Sequence, residues 1–182
     1  LLDPGPDAAQ LRELIDASLR VPDHGKLAPF RIIGVHRDAG RVLGERLAAR
    51  TPGADAAMLD KDRSRFDRAP ICLIVVARLI ENHKIPPQEQ LLSAGCVAYN
   101  LLLGAQALGF GAQWITGWPA YDPEAAALFG LAADEQVIAF VHVGTPHHYH
   151  EAKPGETEEA FATRLAEELE ARIIEEGGAE EC

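Results

Sequence analysis

The sequence predicts a mixed fold, α/β or α+β, in which helices are interleaved with about four strands. Three observations carry this expectation. The short runs FRIIGVH, ICLIVVA and QVIAFVHV are rich in β-branched residues and have the length of strands. Longer segments between them place apolar residues at helical spacing and begin or end on capping residues. The chain has 182 residues, 47% hydrophobic and 25% charged, which suits one domain with a substantial core.

The elements follow in order. Asp7–Arg20 reads as a helix: Asp7 can cap it, Gln10 stands at the reciprocal capping-box position, and Leu11, Leu14, Ile15 and Ser18 share a stripe that Pro22 brings to an end. Phe30–His36 follows a proline and reads as a strand. Ala39–Arg50 gives a second helix with Val42, Leu43 and Leu47 inward, and residues 54–67 a third, more polar one. Ile71–Ala77 is a continuous apolar run, short enough to be a strand buried on both faces. Gln88–Leu108 is apolar on nearly every side. Glu89, Gln90, Asn100 and Gln106 argue against a membrane span there, while Ser93, Ala94, Gly95, Ala98 and Gly104 suit close packing in a core or a dimer interface. Gly111–Thr116 is a short strand or turn. Asp122 and Pro123 start a helix that Gly130 ends, and Gln136–Val143 is the last strand. Thr157–Glu176 reads as an acidic helix with Phe161, Leu165, Leu169 and Ile173 in one row. Residues 1–150 are expected to form the domain, with 151–182 as its helical extension.

Charge narrows the function. Asp and Glu outnumber Lys and Arg 28 to 17, a formal net charge of −11, and no basic run is present. Such a surface repels phosphate backbones, so nucleic acid is not an expected partner, and an anionic ligand needs a local basic pocket. Cys72, Cys96 and Cys182 show no zinc spacing, and no basic stretch followed by an apolar one opens the chain. A reducing, cytoplasmic setting without a secretory leader is therefore expected. His142, His147, His148 and His150 lack a matching array of carboxylates or cysteines, so a solvated loop is a better reading than a metal site for the crowded HHYH run. No GxSxG elbow is present, Ser93 reads as a packing residue, and Cys96 has apolar neighbours, so no nucleophile is assigned.

Two stretches can carry chemistry. Arg20–Phe30 (RVPDHGKLAPF) gathers Arg20, His24 and Lys26 with two prolines and a glycine into a helix-to-strand turn, a basic patch suited to phosphate or an electron-rich ring. Composition alone favours the plainer reading, a surface loop with incidental charges. Gly109–Gly117 (GFGAQWITG) has glycines that let a flat ligand approach the backbone, and Trp114 and Thr116 can meet rings or phosphate. The competing reading is a helix C-cap at Gly109 followed by an edge strand.

Taken in order, these segments resemble the nitroreductase family, in its compact YdjA-like branch. The carriers are Arg20-Val-Pro-Asp-His24, Ala28-Pro29-Phe30, Glu81-Asn-His-Lys84-Ile-Pro86, Glu89-Gln90 with Ser93-Ala-Gly-Cys96, and Gly109-Phe-Gly111 followed by Trp114, spread over roughly residues 7–146. The resemblance implies an α+β three-layer sandwich, a mainly antiparallel sheet flanked by helices, that forms a homodimer with FMN in each interface groove. It implies flavin contacts at Arg20 and His24, with Lys26 on the same loop, and at Trp114, Ile115 and Thr116. It also implies a nicotinamide-binding stretch at Ala105, Gln106, Ala107, Leu108, Gly109 and Phe110. The activity implied is a ping-pong NAD(P)H oxidoreductase reducing nitroaromatic or quinone-type acceptors, with the flavin carrying the chemistry and no catalytic side chain. The alternative is a non-catalytic flavin-binding or partner-binding module on the same fold. The family's Arg-Arg-Ser-type phosphate motif is not found in residues 1–182, and the acidic run Glu151–Cys182 differs from the family's short basic tail.

Overall fold

The computed structural model describes residues 1–50 and 55–146, together with Gly155, Thr157, Glu159, Ala160, Thr163 and Arg164. The chain divides into two units, Leu1–Pro146 and His147–Cys182. The first contains five α-helices, α1 (Ala8–Ser18), α2 (Arg37–Ala48), α3 (Ala56–Arg63), α4 (Pro87–Ala107) and α5 (Pro123–Leu128). Its four strands are β1 (Phe30–His36), β2 (Ile71–Arg78), β3 (Gly111–Ile115) and β4 (Glu135–Gly144). The strands form one antiparallel sheet in the order β1-β2-β4-β3. The fold is α+β, with helices on both faces of the sheet. Of the acidic helix expected at 157–176, the described residues are Thr157, which is not helical, and Glu159, Ala160, Thr163 and Arg164, which are, and the HHYH run lies outside the described residues.

Local sequence sets the ends of most elements. Asp7 Oδ1 accepts from the N–H groups of Ala9 and Gln10, while Gln10 Oε1 accepts from Asp7 N–H, which is the expected capping box. Asp122 caps α5 through Ala125 N–H, with Pro123 at the first helical position and Gly130 at φ 68° beyond the end.

β2 is buried along its length to Ala77, because Ile71, Leu73 and Val75 belong to the core beneath α1 and α4 while Cys72, Ile74 and Val76 belong to the core on the opposite face. The first core is aliphatic and centres on Val97, Ala98 and Leu101 of α4 with Leu14 of α1. The second is built around Phe66, Phe129 and Phe140, whose rings meet edge to face at 5.1–5.6 Å. A bulge between Val75 and Val76 leaves Ile138 of β4 without a partner in the ladder.

α2 corrects one expectation. Leu47 is buried and Leu43 partly so, but Val42 is 55% exposed. The inward row is Gly40, Gly44, Leu47 and Ala48. A Cβ at Gly44 would stand 1.9 Å from the Arg63 carbonyl oxygen, and one at Gly40 2.3 Å from that of Phe66. The backbone of residues 63–66 therefore lies directly on α2, and only glycines permit it. The same segment shortens the helix expected at 54–67: Asp55 caps it through Met58 N–H, Ser64 ends it, and Arg65 and Phe66 turn into the interior.

His142, in the middle of β4, is 1% exposed, and both ring nitrogens lack a partner among the described residues. Burial, with Arg68, the N-terminal amine and Arg65 adding to it, lowers its pKa from 6.5 to about 4. The imidazole is thus neutral in the fold and must charge as acid unfolds the chain. Between pH 6.5 and 4 the unfolded chain binds the extra proton, so stability falls as pH falls through this window. The loss is on the order of 3 kcal/mol. A second step follows from Glu135, whose carboxylate takes a bidentate hydrogen bond from Arg31 at 2.6 and 2.7 Å and is lowered from 4.5 to about 2. Denaturant melts at pH 7 and pH 4.5 should show the first loss in the native chain and a much smaller one in His142→Leu; equal losses in both would contradict the assignment.

Candidate functional site

The loop between α1 and β1 is held from outside and from within. Outside, α4 presents Glu89, Ser93 and Asn100, whose spacing puts them on one side of the helix. Asn100 Nδ2 donates to the Ser18 and Arg20 carbonyls at 3.3 and 3.2 Å, and Ser93 Oγ donates to the Pro22 carbonyl at 2.8 Å. His24 Nδ1 lies 2.7 Å from Glu89 Oε2. An ionised carboxylate only accepts, so the Nδ1 carries the hydrogen and Glu89 fixes the ring's tautomer.

Within the loop, the Asp23 carboxylate accepts from Leu27 N–H at 3.1 Å and Ala28 N–H at 2.8 Å. This closes a turn in which Gly25, Lys26 and Ala28 all have positive φ, at 76°, 55° and 45°. Gly25 eases the turn in two ways, by its φ and because a Cβ there would push on Ile85 Cδ1 at 2.5 Å. Two non-glycine residues in this region cost roughly 1–3 kcal/mol each, a strain typical of ligand-binding loops. Ile85 is itself fixed, because the buried Gln90 amide binds the Ile80 N–H, the Ile80 carbonyl and the Ile85 carbonyl.

With Asp23 occupied internally, Arg20, His24 and Lys26 are left exposed. Neither Arg20 nor Lys26 forms an ion pair among the described residues. A cleft of about 200 Å³ opens beside His24, lined by Pro22, Glu89, Leu92, Ser93 and Cys96. A further cleft of about 400 Å³, beside α5 and lined in part by Tyr121, Asp122 and Gln136, shares no residue with it.

The second expected segment follows from the edge strand β3. Trp114 is 38% exposed, and Ile115 and Thr116 are half-buried. The register places Phe30 beside Ala77, Ala77 beside Gln136 and Ile115 beside Phe140, so the start of β1 and the exit of β3 lie at the same end of the sheet, on opposite edges. Phe30, where the loop closes, and Trp114–Thr116 therefore share an end, while Arg20 is tied to Asn100 farther along α4. The stretch 105–110 lies at the other end, where Gly111 pairs with Gly144. There Phe110 N–H donates to the Ala105 carbonyl and Gly109 N–H to that of Gln106, a Schellman cap with Gly109 at φ 83°, and the Ala105 side chain is fully buried.

Comparison with known proteins gives the family. The nitroreductase family model matches residues 1–145. The chain belongs to the nitroreductase family. It is 36% identical over 149 residues to YdjA of Escherichia coli (strain K12), named as an NAD(P)H nitroreductase, covering 80% of this chain and 81% of that one. A Haemophilus influenzae protein named in the same way is 38% identical over 148 residues, 80% of each chain. Among solved structures, a nitroreductase-like family protein from Bacillus cereus superposes with a TM-score of 0.71 at 18% identity over 85% of this chain and 82% of that one. A nitroreductase with bound FMN from Bacteroides fragilis gives 0.63 at 19% identity over 85% and 86%. These likenesses show the nitroreductase fold.

Sequence reasoning named the exposed cations and the β3 exit but not what holds them. The roles of Ser93 and Asn100 as hooks were carried by a visible signal, polar residues at helical spacing on an otherwise apolar helix. Replacing both by alanine should speed amide exchange in residues 19–24 at least about tenfold, given about 1 kcal/mol per lost hydrogen bond, with the sheet unaffected. Uniform exchange changes across the protein would argue against the hooks.

Proposed function

We propose that the chain is a cytoplasmic, FMN-dependent NAD(P)H oxidoreductase that reduces nitroaromatic or quinone-type acceptors by a ping-pong exchange. The observation that supports it most is the trio Arg20, His24 and Lys26, displayed on a strained, anchored loop in a chain of net charge −11. Arg20 and Lys26, which form no ion pair among the described residues, fit a phosphate-bearing, electron-accepting ring, and nitroreductase membership gives that ring an identity.

When bound, FMN would supply hydride acceptance from the nicotinamide and delivery to the acceptor. The protein's own residues hold and tune it. Arg20 and Lys26 provide positive charge where negative charge accumulates on reduction. His24, held by Glu89 through Nδ1, lines the cleft and would offer its second ring nitrogen to a ligand there. Trp114, Ile115 and Thr116 give an apolar and hydroxylic wall. No side chain need act as a nucleophile.

A second copy of the chain completes this reading. α4 buries one side against the sheet yet exposes Leu92, Tyr99 and Leu103 at 62%, 55% and 47%. With Cys96 these residues follow the 4-3-4 spacing of a helix-packing seam, next to the cleft beside His24. A homodimer through this face would cover the stripe and wall the cleft.

The purified protein should be yellow or take up added FMN, bleach with NADH or NADPH under anaerobic conditions, and recover its colour with a nitroaromatic or quinone. Leu103→Glu should yield a monomer by sedimentation with weakened FMN binding. A native chain that takes up no FMN would contradict the proposal, and bound FMN that no nicotinamide reduces would favour the non-catalytic alternative.

A further inference from the structure

Asp62 and Arg65 form a buried ion pair, with side chains only 3% and 7% exposed, and their place in the fold is paid for by the two glycines of α2 that let residues 63–66 lie against the helix. Arg65 Nη2 and Nε both donate to Asp62 Oδ1, at 2.9 and 3.3 Å. A buried ion pair is weak evidence for stability, because desolvating two charges offsets much of their attraction, and apolar residues of similar volume often serve as well. What the pair does support is a fixed direction. The guanidinium is a rigid planar fork, and with one side locked on Asp62 its Nη1 donates to the Thr116 carbonyl at 3.3 Å.

The contacts continue along the chain. Trp118 Nε1 donates to both Asp62 oxygens at 3.1 Å. Between them, Gly117 has φ 114°, and a Cβ there would come within 3.1 Å of Arg65 Nη1, so a side chain at 117 meets both backbone strain and the guanidinium. In a trans peptide the carbonyl and the next N–H point in opposite directions. With the Thr116 carbonyl turned inward to Arg65, the Gly117 N–H is turned away from it, and it finds no acceptor among the described residues.

We propose that Arg65, locked by Asp62, is a positioning residue for the flavin-binding wall: it sets the peptide plane between Thr116 and Gly117, and Trp118 reports and reinforces that setting. The proposal rests on the reading of Trp114–Thr116 as a flavin-contacting segment. Arg65 touches no ligand; it acts by holding the β3 exit in the orientation the ligand meets, so that the segment does not have to be ordered on binding.

Two variants separate positioning from structural support. Arg65→Lys keeps the charge beside Asp62 but loses the planar fork. Asp62→Asn keeps an acceptor for Trp118 but releases the lock on Arg65. Each is compared with the native chain by thermal melting, by amide exchange of the buried Ala120, whose N–H donates to the Gly117 carbonyl at 3.0 Å, in the FMN-free protein, and by the dissociation constant for FMN from quenching of flavin fluorescence. Cooperative melting should persist, Ala120 exchange should rise and FMN affinity should fall, each by roughly tenfold, the equivalent of one charge-assisted hydrogen bond. FMN affinity and Ala120 exchange within about twofold of native in a folded variant would overturn the proposal. If one variant fails to fold, the other decides by the same two readouts. A native chain that takes up no FMN would overturn the flavin reading and this proposal together. Weakened FMN binding with Ala120 exchange unchanged would overturn the positioning role alone.

Discussion

Helix α4 has to satisfy three environments at once, and the rest of the unit is arranged around that demand. One side packs Val97, Ala98 and Leu101 against the sheet. A second, polar side holds the carbonyls of Ser18, Arg20 and Pro22 and the ring of His24. A third leaves Leu92, Tyr99 and Leu103 in the open. An ordinary amphipathic surface helix has one apolar stripe and one wet one. Here the apolar surface extends around the helix because two interfaces are served, and Glu89, Ser93 and Asn100 form a polar seam beside them. The cationic loop is tied to that seam, so any movement of α4 against the sheet is felt at Arg20 and His24.

The electrostatics follow from the same arrangement. An acidic chain offers little affinity for an anion by its overall field. It can offer a local site if carboxylates near the cations are either absent or already committed. Asp23 is committed to two backbone N–H groups and Glu89 to His24. At the other end of the chain's charge inventory, Asp62 is committed to Arg65 and Trp118. These three acids thus serve as scaffold, and Arg20, His24 and Lys26 remain exposed on the loop, with Arg20 beside Glu13 and Asp16 of α1.

Much of the fold was legible because it is encoded over short range. The Asp7–Gln10 capping box, the Asp122–Pro123 start, the limits of β1 and the two-faced burial of β2 all follow from a few adjacent residues. The candidate loop was legible by its charges and by the order of the family's motifs. What escaped was set by partners distant in sequence. Val42 was expected inward because it is apolar, but the close approach of residues 63–66 gives that place to Gly40 and Gly44. Asp62 and Arg65 look like any helix-surface pair, and nothing within about one turn of them announces that they are buried. His142 carries no sign that its strand neighbours are Cys72 and Gln113 and that no partner awaits its nitrogens among the described residues. The stretch 105–110, singled out by resemblance, ends α4 through its backbone and leaves Gln106, Ala107 and Gly109 exposed.

The central claim is spatial: the loop of Arg20, His24 and Lys26 and the exit of β3 belong to one flavin site. Titration of FMN into isotope-labelled protein, followed by backbone amide chemical shifts, tests it most directly. The account expects the largest shifts at residues 20–28 and 114–117, reached at saturation together and weakened by Arg20→Ala. Shifts concentrated instead around Tyr121, Asp122 and Gln136, in the cleft beside α5, would contradict it.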